Sequence, residues 1–364
     1  MTTDKAASKH TWISKSQRPI IIAGPCSAET EEQVLETGRR IHQLGKVDIY
    51  RAGIWKPRTR PGSFEGVGAV GLPWLQKVKK ETGMALTVEV AKASHVEQAL
   101  EHQIDILWIG ARTTVNPFAV QEIADALRGV DIPVLVKNPI NPDLALWIGA
   151  IERLSTVGIV ELGAIHRGFS NVGEKYYRNR PQWQIPLEFK MEMPNIPLIN
   201  DPSHICGRRD ILQEVGQKAM DLDFEGLMIE THITPDEAWS DAKQQITPEV
   251  LGEMLDSMIF RKDFEDVPAI QSKLDLLRQK INNIDDELIN LLSNRMKIAR
   301  EIGLYKKKND MTILQQRRWA EIIEKSKLQA AKSGLSEVFI VNFIKAIHNE
   351  SIDQQEQVFA NKEE

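Results

Sequence analysis

Short apolar runs of this chain each hand over to a reactive or charged side chain. Cys26 follows IIIAGP, Arg51 follows VDIY with Lys56 and Arg58 close behind, and Arg112 follows ILWIGA. Lys137 closes PVLVK, His166 and Arg167 follow IVELGAI, and Asp201 and His204 follow PLIN. Glu230 closes GLMIE, and Asp241 stands in the segment beyond it. Cys26, His204, Glu230 and Asp241 offer a thiolate, an imidazole and two carboxylates. That mixed set suits a borderline divalent metal such as manganese, iron, cobalt or zinc. Their spacing follows no zinc-finger pattern, so a metal site rests on where the fold puts them. One Arg or Lys in a loop is ordinarily a solvated charge. The six at positions 51, 56, 58, 112, 137 and 167, gathered at one mouth, would hold an anionic substrate carrying one or more phosphates.

A set of parallel strands would gather them, because reactive groups in such folds stand at strand carboxyl ends. Eight runs of strand length occur, at 20–26, 47–55, 85–90, 106–111, 133–138, 159–165, 197–203 and 226–232. Amphipathic stretches such as EEQVLETGRRIHQL and PFAVQEIADALRG lie between most of them. Eight such units in about 250 residues predict an α/β fold, a (β/α)8 barrel with its helices outside. An open doubly wound sheet is the alternative, but no glycine fingerprint follows the first run.

With 364 residues the chain has room for a second, smaller domain. All 17 prolines lie at or before Pro268, and of the 22 glycines only Gly303 and Gly334 lie beyond it. Such a stretch without helix breakers predicts an all-helical tail. The expected division is a barrel with a short N-terminal extension over 1–262, a linker over 263–270 and a helical domain over 271–364. A 42% share of hydrophobic residues with 27% charged excludes wholesale disorder. No apolar run approaches the roughly 20 residues of a membrane helix, and the N-terminus lacks a signal-type apolar core. Cys26 and Cys206 are the sole cysteines, which fits a reducing cytoplasm. A formal charge of −5 gives no general pull toward nucleic acid or an anionic membrane.

The tail opens with a regular seam: Leu274, Leu277, Ile281, Ile284, Leu288, Leu291, Arg295, Ile298, Ile302 and Tyr305. The alternating steps of three and four predict one helix of about 35 residues, roughly 50 Å long. Such a length calls for a second chain, and a coiled-coil dimerisation module is one reading. Arg295 argues for more, because a guanidinium on an apolar seam needs an anion. Lys306, three turns on, projects from nearly the same face.

The segments AGPCS, KPRT, GART, VLVKN, HRGFS, DPSH and GLMIETH…SDAKQ closely resemble the type I (Iβ-like) 3-deoxy-D-arabino-heptulosonate 7-phosphate (DAHP) synthases. That family condenses phosphoenolpyruvate with erythrose 4-phosphate on a divalent metal, opening the shikimate pathway. The resemblance implies that Cys26, His204, Glu230 and Asp241 ligate the metal, manganese first among the candidates. It implies that Arg51, Lys56, Arg112, Lys137 and Arg167 hold phosphoenolpyruvate. Arg58 and Thr59 would hold the phosphate of erythrose 4-phosphate, with Asp201 near its hydroxyls. Lys56, Lys137 or a metal-bound water could protonate the new alkoxide. KPRT argues against the related eight-carbon synthase that uses arabinose 5-phosphate. Arg60 and the loop KNPINPD depart from the usual pattern. Only about 18 residues precede the first strand, so no N-terminal sensor domain is expected.

The stretch LLRQKINNIDDELINLLSNRMKIAREIGLYK resembles the all-helical AroQ-type chorismate mutases, which form intertwined dimers. The resemblance implies a cationic cage of Arg295, Lys306 and Arg317, with Arg278 supplied by the other subunit. Lys345 joins the cage on the last helix, Lys306 and Lys345 stabilising the breaking ether oxygen, and Ser351 keeps a further position. Arg318 stands where a carboxylate is usual. The expectation is therefore a bifunctional, homodimeric, cytoplasmic enzyme. Its tail would also give prephenate or chorismate feedback control, the alternative being a tail that only senses and dimerises.

Overall fold

The computed structural model describes residues 12, 19–56, 62, 64–260 and 268–360, with tail side chains from residue 273 onward. It divides into two compact units, 1–261 and 262–364. In the first, eight parallel strands close on themselves: β1 (Ile20–Gly24), β2 (Ile49–Arg51), β3 (Ala85–Val90), β4 (Ile106–Ile109), β5 (Val134–Lys137), β6 (Leu162–His166), β7 (Leu198–Asn200) and β8 (Gly226–Glu230). The closing pair runs in register from Ile20 opposite Gly226 to Gly24 opposite Glu230. The α/β barrel expected from the eight runs is the fold, and the open sheet is excluded.

The barrel forms because its strands are apolar on both faces. Ile20, Ile22, Ile49, Ile106, Trp108, Leu135, Ile165, Ile199 and Met228 fill the interior. A second, larger set, including Ile21, Tyr50, Leu86, Leu107 and Val136, packs outward against the helices. Helices begin where side chains can cap them: Thr30, Asn116, Asp143 and Thr247 each accept a backbone N–H of the following turn. Trp12 joins the interior cluster near the amino-terminal end of β6, where a Cβ on Gly163 would lie 2.7 Å from its ring. At the other end Gly24 has φ +147°, and a Cβ there would lie 2.0 Å from the Arg51 carbonyl oxygen. Only glycine lets β1 pass that close to β2.

The second unit holds three helices, Pro268–Lys308, Gln316–Lys332 and Glu337–Ala360, the third packing on the other two. The first is 41 residues long and begins inside the stretch expected to be linker, whose earlier part lies outside the described residues. Among the described residues of this unit its seam stays largely uncovered: Leu277, Ile281, Ile284, Leu288, Leu291, Ile298, Ile302 and Tyr305 are between 45% and 67% exposed. Among the described residues no helix is long and apolar enough to cross a membrane.

Trp12→Ala should lower barrel stability by about 3 kcal/mol, the cost of emptying a packed aromatic site. A shift in the urea midpoint of the barrel's tryptophan fluorescence measures it. An unchanged midpoint would mean that Trp12 is not part of the barrel's core.

Candidate functional sites in the barrel mouth and the helical tail

At the carboxyl end of the barrel, Cys26 is fully buried just after β1. Its Sγ lies 3.3 Å from Asp241 Oδ2 and 2.9 Å from Lys56 Nζ. Glu230 ends β8, and its Oε2 accepts from Gln244 Nε2 at 2.6 Å. Its Oε1 is buried and takes no hydrogen bond among the described residues, although Arg51 Nη2 stands 3.3 Å away and His204 Nε2 3.7 Å. The donor atoms of Cys26, Glu230 and Asp241 all lie within 4.8 Å of one another. His204 flanks this cluster, with Nδ1 2.8 Å from Asp201 Oδ2. A soft thiol, two carboxylates, an adjoining imidazole and an orphaned carboxylate oxygen fit a divalent transition metal.

The loop bearing Asp241 is held in a costly shape. Asp241 sits at φ +51°, a left-handed conformation unusual for a residue other than glycine. Arg178 Nη1 holds its carboxylate at 3.0 Å, and the Ser27 and Ser240 hydroxyls meet at 2.5 Å. Gln245 accepts from the Cys26 N–H and donates to the Ser240 carbonyl. These contacts tie the loop after β8 to the loop after β1.

Electrostatics match that use. Burial, then Glu230, pushes the Cys26 thiol up to about 12, so a bound cation must draw the proton off. Burial opposes ionisation of Glu230 and Asp241, yet neighbouring cations win. His204 and Arg51 hold Glu230 below its ordinary value, and Arg178 and His204 hold Asp241 well below. Burial lowers His204 despite Asp201 and Glu230, so a bound cation displaces its proton more easily.

Beside the cluster lies a buried cationic wall. Arg51 Nε and Nη1 are buried and find no hydrogen-bond partner among the described residues. The Arg51 guanidinium stands 5.0 Å and Lys137 Nζ 5.8 Å from the Trp108 ring centre. Burial brings Arg167 down to about 10, with Arg178 and Arg112 adding repulsion, so three guanidiniums crowd together. Arg112 is exposed. A carboxylate or phosphate would relieve all of these charges. Arg58 and Thr59, expected to bind the sugar phosphate, lie outside the described residues.

Asp201 stands in the mouth, where it accepts from Lys137 Nζ at 2.7 Å and from the His204 N–H at 3.1 Å and so positions those groups. His166 does not join the mouth: its Nε2 meets the Pro181 carbonyl at 2.7 Å, and Phe169, Trp183 and Phe224 surround the ring. Sequence reasoning missed Arg178, Gln244, Trp108 and Glu89. Trp108 Nε1 donates to Glu89 Oε2 at 3.2 Å, which places a carboxylate from β3 at the mouth. Glu89 and Trp108 read as ordinary strand positions, and Arg178 lies in a loop with no spacing signal.

The tail carries a hollow of about 290 Å³ among its three helices, lined by Arg295, Lys306, Arg318, Trp319, His348 and Gln355 among others. Arg295 donates to Ser351 Oγ, and Lys306 Nζ donates to Gln355 Oε1 at 3.1 Å and to the Ile313 carbonyl. Arg317 does not line it; its side chain is 97% exposed beside Glu321. Arg318 takes its place because it shares a helix face with Gln315 and Ile322, from which Arg317 is turned by 100°. Lys345 is likewise exposed, about 15 Å along the last helix from Gln355, and it is Gln355 that lines the hollow beside Lys306. Helical spacing from Ser351 points to Gln355. Arg278 lies 17 residues before Arg295, about 25 Å along the helix, and cannot reach the hollow of its own chain.

Comparison with known proteins finds a family for each unit. Residues 3–265 match the DAHP synthetase I family, and residues 277–356 match chorismate mutase type II. A phospho-2-dehydro-3-deoxyheptonate aldolase of Thermotoga maritima is 32% identical over 238 residues, 65% of this chain and 68% of the relative. A crystal structure of a Thermotoga maritima DAHP synthase superposes with a TM-score of 0.59 at 30% identity, covering 65% of this chain and 67% of that one. A 2-dehydro-3-deoxyphosphooctonate aldolase of Vesicomyosocius okutanii is 25% identical, over 72% of this chain and 95% of the relative. The chain belongs to the DAHP synthetase I family, and its helical tail is a chorismate mutase type II domain.

Proposed function

We propose that the barrel condenses phosphoenolpyruvate with erythrose 4-phosphate to DAHP and phosphate, and that the tail rearranges chorismate to prephenate. The observation that carries the first half is the adjacency of a metal-competent cluster and the buried Arg51 guanidinium, whose Nε and Nη1 have no hydrogen-bond partner among the described residues. Arg51, Lys56, Lys137, Arg167 and Arg112 bind phosphoenolpyruvate, their N–H groups aimed at its carboxylate and phosphate and fixing the orientation of C3. Cys26, His204, Glu230 and Asp241 hold a divalent cation, manganese by preference, which when bound supplies Lewis-acid polarisation of the aldehyde. Arg58 and Thr59 take the sugar phosphate. Burial lowers the Lys137 ammonium despite Asp201, whereas Cys26 and Glu230 keep Lys56 charged against its burial. Lys137 Nζ is therefore the better acid for the new alkoxide.

In the tail, Arg295, Lys306, Arg318 and Gln355 hold the dicarboxylate folded, and Lys306 with Gln355 faces the ether oxygen as its bond breaks. A pericyclic step needs no general base, only charge and hydrogen bonds placed in advance. Arg278 of the partner subunit completes the cage. The exposed apolar seam and the distance of Arg278 from its own hollow support a homodimer through this helix. Prephenate or chorismate in the hollow then acts as a feedback signal on condensation, a coupling of about 1–3 kcal/mol in such systems.

Cys26→Ala should lower condensation at least ~100-fold and abolish the manganese-dependent rise in melting temperature, while chorismate turnover persists. Retained metal-dependent condensation would dismiss the assigned ligands, and arabinose 5-phosphate serves as the competing aldehyde. Arg295→Ala should slow chorismate loss by ~100-fold or more. Near-normal turnover would return this arginine to a structural part. Added prephenate should slow condensation by the wild-type chain and much less by Arg295→Ala, and equal responses would refute feedback through the tail.

A further inference from the structure

The hollow in the tail contains a pair that its cations do not explain. Trp319 and His348, from the second and third helices, stack with ring centres 4.0 Å apart and an interplanar angle of 12°. Both line the hollow beside Arg295, Lys306 and Arg318. His348 Nε2 is shut off from solvent and has no hydrogen-bond partner among the described residues. No carboxylate lines the hollow among the described residues. Trp319 stacks on the imidazole, Arg295 and Lys306 from the first helix act on it electrostatically, and Arg318, Ser351 and Gln355 line the same hollow.

We infer that His348 is a substrate-contacting residue of this site, and that it recognises the ring hydroxyl of the dicarboxylate. The inference rests on the mutase reading of the tail. The substrate brings two carboxylates, an ether oxygen and one hydroxyl. Arginine and lysine offer donors only, so they select the carboxylates and the ether oxygen. A hydroxyl both donates and accepts, and a neutral imidazole, with one N–H and one bare nitrogen, answers both needs. Burial, then Arg295 and Lys306, holds His348 below the ordinary histidine range, which keeps it in that neutral form at physiological pH. The indole face fixes the plane of the ring. The ring can turn over about its Cβ–Cγ bond without leaving that face, so either edge can reach a ligand.

The test compares chorismate with an analogue in which the hydroxyl is replaced by hydrogen. His348→Phe keeps an aromatic ring on Trp319 and removes both nitrogens. It should reduce kcat/KM for chorismate by ~10–100-fold and for the deoxy analogue by less than ~3-fold. His348→Gln, which restores a donor and an acceptor, should recover part of the loss on chorismate alone. Equal losses on both substrates, or none on chorismate, would overturn the assignment. A wild-type chain inactive on both would bring down the mutase reading beneath it, a different result from a selective or unselective variant.

Discussion

Arg51 and Glu230 face each other 3.3 Å apart, both essentially without solvent, and the mouth of the barrel is organised around that pair. Buried charges are tolerable only when compensated, and each of these is compensated by half. Arg51 Nη2 donates to the Cys26 carbonyl and faces Glu230 Oε1 without a hydrogen bond, and among the described residues Arg51 Nε, Arg51 Nη1 and Glu230 Oε1 have no hydrogen-bond partner. The pair ties β2 to β8 across the β1 strand that lies between them. It also sets an unsatisfied buried acceptor, Glu230 Oε1, beside two unsatisfied buried donors, Arg51 Nε and Nη1. A cation and an anionic substrate can therefore sit side by side, each answering one half of a pair already in place.

The rest of the mouth extends this division. Arg178 on Asp241, Lys56 on Cys26 and Lys137 on Asp201 each set a cation against an anionic or acidic group. The asymmetry lies in Arg167 and Arg112, which repel each other. The excess positive charge thus lies where a phosphate would be expected, although the whole chain is acidic. Local placement by strand ends outweighs overall composition.

Much of this was legible in the sequence because a parallel barrel makes position along a strand equivalent to position in space. Cys26, Arg51, Lys137 and Glu230 could be placed at one mouth from apolar runs alone. Glu89 and Trp108 escaped notice because they lie within apolar runs, where period and propensity signal packing. Arg178 escaped because an irregular loop has no period to carry its side chain to Asp241. In the tail, the repeat located Arg295 and Lys306, whose helix is long and regular. Arg317 and Lys345 were misplaced because one residue of register turns a side chain by 100°, and motif likeness alone did not fix the phase of the later helices.

The exposed apolar row on the first tail helix has a consequence for how the protein is made. The barrel is local in the sense that every strand pairs with its sequence neighbour except at the single closing seam, so it can complete itself as one chain leaves the ribosome. The row from Leu277 to Tyr305 has no such cover among the described residues of its own unit. If a second copy supplies it, the tail matures at a rate set by encounters between newly made chains. Synthesis of neighbouring copies on one messenger would then favour it. Chaperones that shield apolar helices would be needed longest at low expression, when the barrel has already finished folding and the tail is still waiting.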